Sequence, residues 1–323
     1  MGPKLVMIRN YQLLSLIVPM YNEEEALDSF FDTTLPILRS LHNNFEIVCV
    51  NDGSSDNTLK NLLLKQILVP EIIIIDFHKN FGKEAATTAG IEQSQGDIII
   101  PIDADLQDPP HIIPKMVEKW QNGYDEVLAI RASRESDTSV KRNSSGAFYR
   151  IFNKFAEQKI PNNAGDFRLM DKSIADIAIQ LPEKNRFMKG IFSWASNGNT
   201  AVVEYTRDAR EFGLSKWNYW KLWNFAIDGI TAFSSWPLRV WSYVGVGVSS
   251  IAVIFMFYTI LKHLIFHSDL PGYASLMCVI LFLGGIQLIS LGIIGEYISR
   301  IYNESKNRPL YIIKKIHRSP NNI

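Results

Sequence analysis

The stretch GDIIIPIDADLQDPP, residues 96–110, runs from an apolar segment straight into Asp103, Ala104, Asp105, Leu106, Gln107 and Asp108. An uninterrupted apolar run of this length reads as a strand buried on both faces. Three carboxylates and a carboxamide at its end therefore need a reason. Side chains alternate along an extended chain, so Asp103 and Asp105 face the same way, with Gln107 in line if the extension continues. Two carboxylates and an amide oxygen converging on one point suit Mg2+ or Mn2+, completed by phosphate oxygens. The competing reading is a solvated acidic turn closing the strand, which Asp108, Pro109 and Pro110 also suit. A D-x-D pattern alone is too short to decide between them.

The same plan recurs upstream. LLSLIVPMYNEEEALDSFF (13–31) reads as a buried strand, a turn and a helix opened by acids near its positive N-terminus. FEIVCVNDGSSDNTLKNLLL (45–64) and EIIIIDFHKNFGKEAATTAGIEQS (71–94) repeat it, and residues 96–120 make the fourth unit. Apolar strands alternating with helices imply an α/β fold, a mostly parallel, Rossmann-like sheet covered on both faces. Such sheets bind ligands beyond the carboxyl ends of their strands, where YNEEE, NDGSSD, KNFGKE and DADLQD all fall. That convergence favours the cation over the turn. Neither G-x-G-x-x-G nor G-x-x-x-x-G-K-[ST] follows the first strand, so a dinucleotide fold or P-loop is unsupported. Asp52, directly after a strand, is placed to accept from a base or ribose, whereas Ser54, Ser55 and Asp56 read as capping residues for the next helix.

At 323 residues the chain suffices for one large domain or two modest ones, and its zero formal net charge gives no field for nucleic acid. Two cysteines, Cys49 and Cys278, supply neither a disulfide framework nor zinc spacing. MGPKLVMIRNYQ lacks a secretory signal, so the N-terminal part is expected in the cytoplasm. Two uncharged runs, 240–261 and 270–295, each exceed the roughly 20 residues that cross a bilayer. The short HLIFHSD connection makes them a hairpin, and six Lys or Arg against one acid from Arg300 onward put both ends in the cytoplasm. Five of the seven tryptophans fall in 217–241, with Trp217, Trp220 and Trp223 at helical spacing, as in an amphipathic helix at the headgroups. RFMKGIFSWAS (186–196) reads either that way or as core. The expected segments are a catalytic domain over 1–215, interface helices over 216–238, two spans within 239–296 and a basic cytoplasmic tail over 297–323.

VPMYNEE, VNDGSSDNT, GKEAATTAG, DADLQDPP and GDFRLM, in that order, resemble the family 2 glycosyltransferases of GT-A fold. More narrowly, the chain resembles polyisoprenyl-phosphate glycosyltransferases, and within them the bactoprenol glucosyltransferases of phage-type O-antigen modification. The resemblance places Pro19, Tyr21, Glu23, Val50 and Asp52 around the donor nucleotide, with Asp103 and Ala104 against it and Arg131 near its phosphates. It gives the divalent cation to Asp105 and Gln107 with Asp103 close by, and the donor diphosphate to an R-x-x-G-x-S-K element of Arg210, Gly213, Ser215 and Lys216. Lys141, Arg142 and Ser145 fall at lipid-phosphate contacts, and Asp166 and Arg168 at acceptor-side catalytic positions beside catalytic Asp105.

The reaction implied is transfer of glucose from UDP-glucose to undecaprenyl phosphate by a single inverting displacement. The cation neutralises the departing diphosphate, with Arg210 and Lys216 adding charge stabilisation. A phosphate nucleophile is already anionic, so Asp166 need not be a strong base and can orient Arg168 or the acceptor. The resemblance further implies a multi-pass protein of the bacterial inner membrane, a homo-oligomer (a tetramer), and a downstream flippase and periplasmic glucosyltransferase as partners. Alternatives are mannose, galactose or a modified arabinose as the sugar, a processive polysaccharide synthase, or a membrane-tethered nucleotide-sugar sensor. The synthase lacks its Q-x-x-R-W type motif here, and the sensor does not account for intact Asp103, Asp105 and Gln107.

Overall fold

The computed structural model describes residues 9–41, 44–131, 164–181, 183, 186, 188–196, 198–205, 243–248, 250, 251, 253–255, 257, 258, 261, 265 and 272–319. Two compact units divide the chain. One comprises Met1–Lys154, Gln158–Trp223 and Arg308–Ile323; the other, Phe155–Glu157 and Asn224–Asn307, is inserted into it.

The first unit is built on one sheet. Its strands are β1 (Leu13–Met20), β2 (Asn44–Asn51), β3 (Ile72–Phe77), β4 (Ile98–Pro101), β5 (Glu126–Arg131), β6 (Ala164–Asp171), β7 (Thr200–Tyr205) and β8 (Ile313–His317), ordered β7-β5-β6-β4-β1-β2-β3-β8. The first four are the apolar runs of the sequence and pair in parallel, with β1 between β2 and β4. Their side chains are buried on both faces, which is why they read as continuous rather than alternating runs. Helix α1 (Leu27–Ser40) buries Leu27, Phe30, Phe31, Thr34, Leu35 and Leu38, an i, i+3, i+4, i+7 stripe. Helix α2 (Thr58–Leu68) follows β2, and α3 (Lys83–Gln93) follows β3. Small residues bury α3 on nearly every side: Ala85, Ala86, Thr87, Thr88, Ala89 and Gly90 lie close against the sheet.

The sheet is mixed. β6 runs antiparallel to both β4 and β5, while β5 and β7 are parallel. The pairs Ile98↔Asp171 and Ile99↔Met170 set its direction. Because β6 runs backwards, its beginning lies at the end of the sheet where β1, β2 and β4 finish. Asp166 is thereby brought from far along the chain to the neighbourhood of Asp103.

The basic tail also departs from expectation. Residues 313–317, read from sequence as part of a solvated cytoplasmic tail, form β8, antiparallel to β3 with Ile75↔Ile316 and Asp76↔Lys315. The reason is the exposed ladder of β3, whose unpaired N–H and C=O groups need a partner. Helix Met188–Ala195, within the segment that reads either as interface or as core, buries Met188, Ile191, Phe192 and Ala195 and leaves Trp194 half exposed.

In the second unit, described residues form an apolar helix over Tyr243–Phe255 and a 33-residue helix over Tyr273–Ser305. One stretch, Phe282–Ser305, is long and apolar enough to cross a membrane. Its Phe282, Leu288, Leu291, Ile298 and Ile301 are exposed. The helix runs ten residues past the expected end of the span at 295. The amphipathic segment 217–238 lies outside the described residues.

The turn after β2 approaches the turn after β3 so closely that only glycine fits. Gly53 has φ +65°, and an added Cβ would stand 2.4 Å from the Lys79 carbonyl carbon and 2.6 Å from the Asn80 nitrogen. Gly53→Ala is expected to destabilise the protein by about 1–3 kcal/mol, measured by chemical denaturation of the purified full chain.

Candidate active site

The carboxyl ends of β1, β2 and β4 and the start of α3 enclose a cavity of about 300 Å³. Pro19, Tyr21, Glu23, Asp52, Asn80, Gly82, Lys83, Asp103, Ala104 and Asp105 line it. It lies where a doubly wound sheet opens, since the chain leaves β1 for β2 on one side and β4 on the other.

Local hydrogen bonding fixes the first two turns against each other. Asn22, at φ +56°, accepts from the Ser55 N–H at 2.8 Å and donates its own N–H to Ser54 Oγ at 3.0 Å. The Glu23 N–H donates to Thr58 Oγ1, and the Asn57 N–H to Glu24. Asp56 accepts from the Thr58 N–H and hydroxyl, the capping role its position in the sequence implies. Asp52 is nearly buried, and its two oxygens accept from the Phe81 N–H at 2.6 Å and the Gly82 N–H at 2.9 Å. Burial pushes its carboxyl up, against the lowering effect of those two amides. Asp52 thus holds the KNFG loop in place while facing the cavity.

Lys83 sits at the centre. Its ammonium lies 2.7 Å from Asp103 and 3.0 Å from Asp166, whose other oxygen is 3.7 Å from Lys189. Burial alone would raise the Asp166 carboxyl, but Lys83, Lys189 and Arg168 outweigh it and hold it well below the usual carboxylate range. Burial likewise opposes the Lys83 ammonium, yet Asp103 and Asp166 keep it firmly charged. Glu84, one residue on, is pushed up to about 7 by burial and by the nearby Asp166 charge, against Lys83 and Lys189. A lysine at the positive end of a helix is unfavourable for the helix itself, so its place here answers to the two carboxylates.

Residues 15–177 match the glycosyl transferase family 2 model, and residues 236–301 match that of the GtrB C-terminal hairpin. The chain belongs to glycosyl transferase family 2. The transferase is 49% identical over 305 residues to the SfII prophage-derived bactoprenol glucosyl transferase of Shigella flexneri, covering 94% of this chain and 98% of the relative. It is 47% identical to the prophage bactoprenol glucosyl transferase homolog of Escherichia coli K12, covering 94% and 99%. It is 50% identical to a glycosyltransferase of Synechocystis sp., covering 94% and 95%. Mannosyl-3-phosphoglycerate synthase of Rubrobacter xylanophilus shares the fold, with TM-score 0.51 and 14% identity over 67% of this chain and 71% of that one.

The transferase gathers Pro19, Tyr21, Glu23, Asp52, Asp103, Ala104 and Asp105 at its cavity. Three expected positions are buried away from the cavity lining. Val50 is fully buried in β2 and does not line the cavity. Gln107 is buried too, because the extension on which its alignment with Asp103 and Asp105 depends is broken by a turn: Leu106 has φ +55°, and the Gln107 N–H folds back onto Asp105 at 3.2 Å. Arg168 is 2% exposed and lies under the site, 2.9 Å from Glu126 and over the Phe192 ring. Asp108, the third acid of the opening stretch, is buried and accepts from the Tyr205 hydroxyl. The side chain of Arg131, and Lys141, Arg142, Ser145, Arg210, Gly213, Ser215 and Lys216, lie outside the described residues.

The sequence reading does not place Lys83 or Lys189 in the site. KNFGKE falls at a strand's carboxyl end and so contained a signal for Lys83; Lys189 had none, since only the tertiary fold sets it beside Asp166. Two outcomes are expected. Glu84 holds a proton in the folded state between pH 4.5, its ordinary value, and about 7, so the wild type loses stability as pH rises through that window. Glu84→Gln should abolish that loss, seen as a variant-minus-wild-type difference in unfolding free energy that grows from pH 4.5 to 7. Glu126→Ala strands the buried Arg168 guanidinium and should cost about 3–5 kcal/mol by denaturation.

Proposed function

We propose that the transferase moves glucose from UDP-glucose to bactoprenol (undecaprenyl) phosphate at the cytoplasmic face of the bacterial inner membrane. The observation that carries the chemistry is the single ammonium of Lys83 joining Asp103, on the donor side, to Asp166, on the acceptor side, within one cavity rim. Support for the substrates comes from relatives bearing the bactoprenol glucosyl transferase name at 47–49% identity over nearly their whole length.

A divalent cation fits the donor set. Asp103 and Asp105 both line the cavity, and no group of three or more His, Cys, Asp or Glu placed to hold a metal ion occurs among the described residues. Mg2+ and Mn2+ sites of one or two carboxylates, completed by substrate phosphates, have that composition. The cation supplies neutralisation of the departing diphosphate. Tyr21 and Asp52 bound the nucleotide end, and Asp52 keeps the 80–83 loop in position around it.

On the acceptor side Asp166 is ionised and flanked by two ammonium groups, which suits an aligning group for an incoming anion better than a strong base. Arg168 acts through Asp166 as a positioning residue, braced by Glu126. Lys141, Arg142 and Ser145 are the proposed lipid-phosphate contacts, and Arg131, Arg210 and Lys216 those of the donor phosphates. With no protein nucleophile invoked, a single displacement inverts the anomeric centre. The lipid acceptor requires an enzyme held at the bilayer. A two-span hairpin over 240–261 and 270–295 fits the exposed apolar helix, and both termini are assigned to the cytoplasm. Assembly as a tetramer, and supply of product to a flippase and a periplasmic glucosyltransferase, complete the reading.

Purified protein incubated with polyprenyl phosphate, Mg2+ and radiolabelled UDP-glucose should move label into the organic phase. Asp105→Asn should lower that transfer about 100-fold or more. Transfer from another nucleotide sugar alone would replace glucose, and no lipid-linked product from any donor would defeat the transferase assignment to this lipid.

A further inference from the structure

The segment after the long helix does more than cover an open sheet edge. Tyr311 stacks on Phe77 with centroids 5.1 Å apart and planes 9° from parallel, and its hydroxyl donates to Glu92 on α3. Phe77 meets Phe81 edge-on at 5.7 Å, and the Phe81 N–H is one of the two amides held by Asp52. The His78 N–H donates to the Ile312 carbonyl at 3.1 Å, so the backbone entering the KNFG loop is itself tied to the tail. A second route starts at Lys314, 3.3 Å from the buried Asp76. Asp76 accepts from the Asn51 amide at 2.8 Å, and Asn51 accepts from the Ser54 N–H at 3.3 Å. Both routes converge on the turn that carries Asp52 and on the loop that carries Asn80, Gly82 and Lys83, four residues of the cavity wall.

We propose that β8 is a working part of the donor site, with Tyr311 as a positioning residue that holds the 79–83 loop against Asp52 through Phe77 and Phe81. A strand whose only purpose was to cover an edge would need its backbone and little else. Here its flanking ring and one lysine are spent on the two groups standing behind the cavity. The Gly53 turn backs Lys79 and Asn80 and the carboxylates hold Lys83, but within the loop Lys79 and Asn80 are exposed and Gly82 sits at φ +95°. Removing the stacked ring frees Phe81 to rotate away and lets the Asp52 hydrogen bonds open. The effect on nucleotide-sugar affinity rests on the function proposed above; the effect on the loop does not.

The test is hydrogen exchange of the full-length protein without ligand, read on a peptide spanning 78–84, together with UDP-glucose binding by calorimetry. Tyr311→Ala should speed exchange in that peptide while leaving β1 and β2 protected, and weaken UDP-glucose binding about 10-fold. Tyr311→Phe keeps the stack, loses the Glu92 bond and should restore most of both. Tyr311→Leu, which fills the space without a planar ring, serves where the alanine variant does not fold and should behave like it. Unchanged exchange at 78–84 in a folded Tyr311→Ala or Tyr311→Leu protein overturns the inference, whatever the nucleotide does. Faster exchange in a protein that never binds UDP-glucose upholds the positioning role and removes the donor assignment instead.

Discussion

A strand buried on both faces admits a polar side chain only where a partner meets it, as Ser15 meets Glu46 and Asn51 meets Asp76, and that constraint organises this transferase. β1 to β4 are apolar along almost their whole length, so polar groups gather where each strand runs out. In a parallel set those ends lie together, and the helix that follows each strand points its positive end at the same place. Asp52, Lys83, Asp103 and Asp105 meet there because each follows the end of a strand. The acids and amides of the site are thus a consequence of the layer architecture as much as of any one motif.

Within that crevice acids outnumber bases: Glu23, Asp52, Asp103 and Asp105 line the cavity with Lys83. Lys83 satisfies Asp103 and Asp166, and Lys189 stands on the far side of Asp166.

The insertion of the second unit between two parts of the first has a mechanical consequence. A chain that passes through the apolar helices and returns to pair with β3 is joined to the catalytic sheet on both sides of the insertion. The returning strand meets the sheet beside the 79–83 loop rather than at a remote edge, so a segment that reads as a basic tail contributes an aromatic ring on Phe77 and a counter-ion to Asp76.

Local sequence alone was enough for the four strand–turn–helix units, the collection of YNEEE, NDGSSD, KNFGKE and DADLQD at one end, and the apolar runs of the second unit. Each depends on the period and length of an apolar pattern, which neighbouring residues determine among themselves. The strand alternation that lines Gln107 up with Asp103 and Asp105 ends in the structure at one left-handed residue, Leu106. The burial of Arg168 against Glu126, 42 residues earlier in the chain, follows from the antiparallel β6 and has no local mark. Lys189 and β8 carry no local mark of their roles, because a charge pair or an edge pairing between distant segments has no period to read. Tertiary structure decided those, since only folding chooses which of many equally compatible partners a lysine or a short strand finally meets.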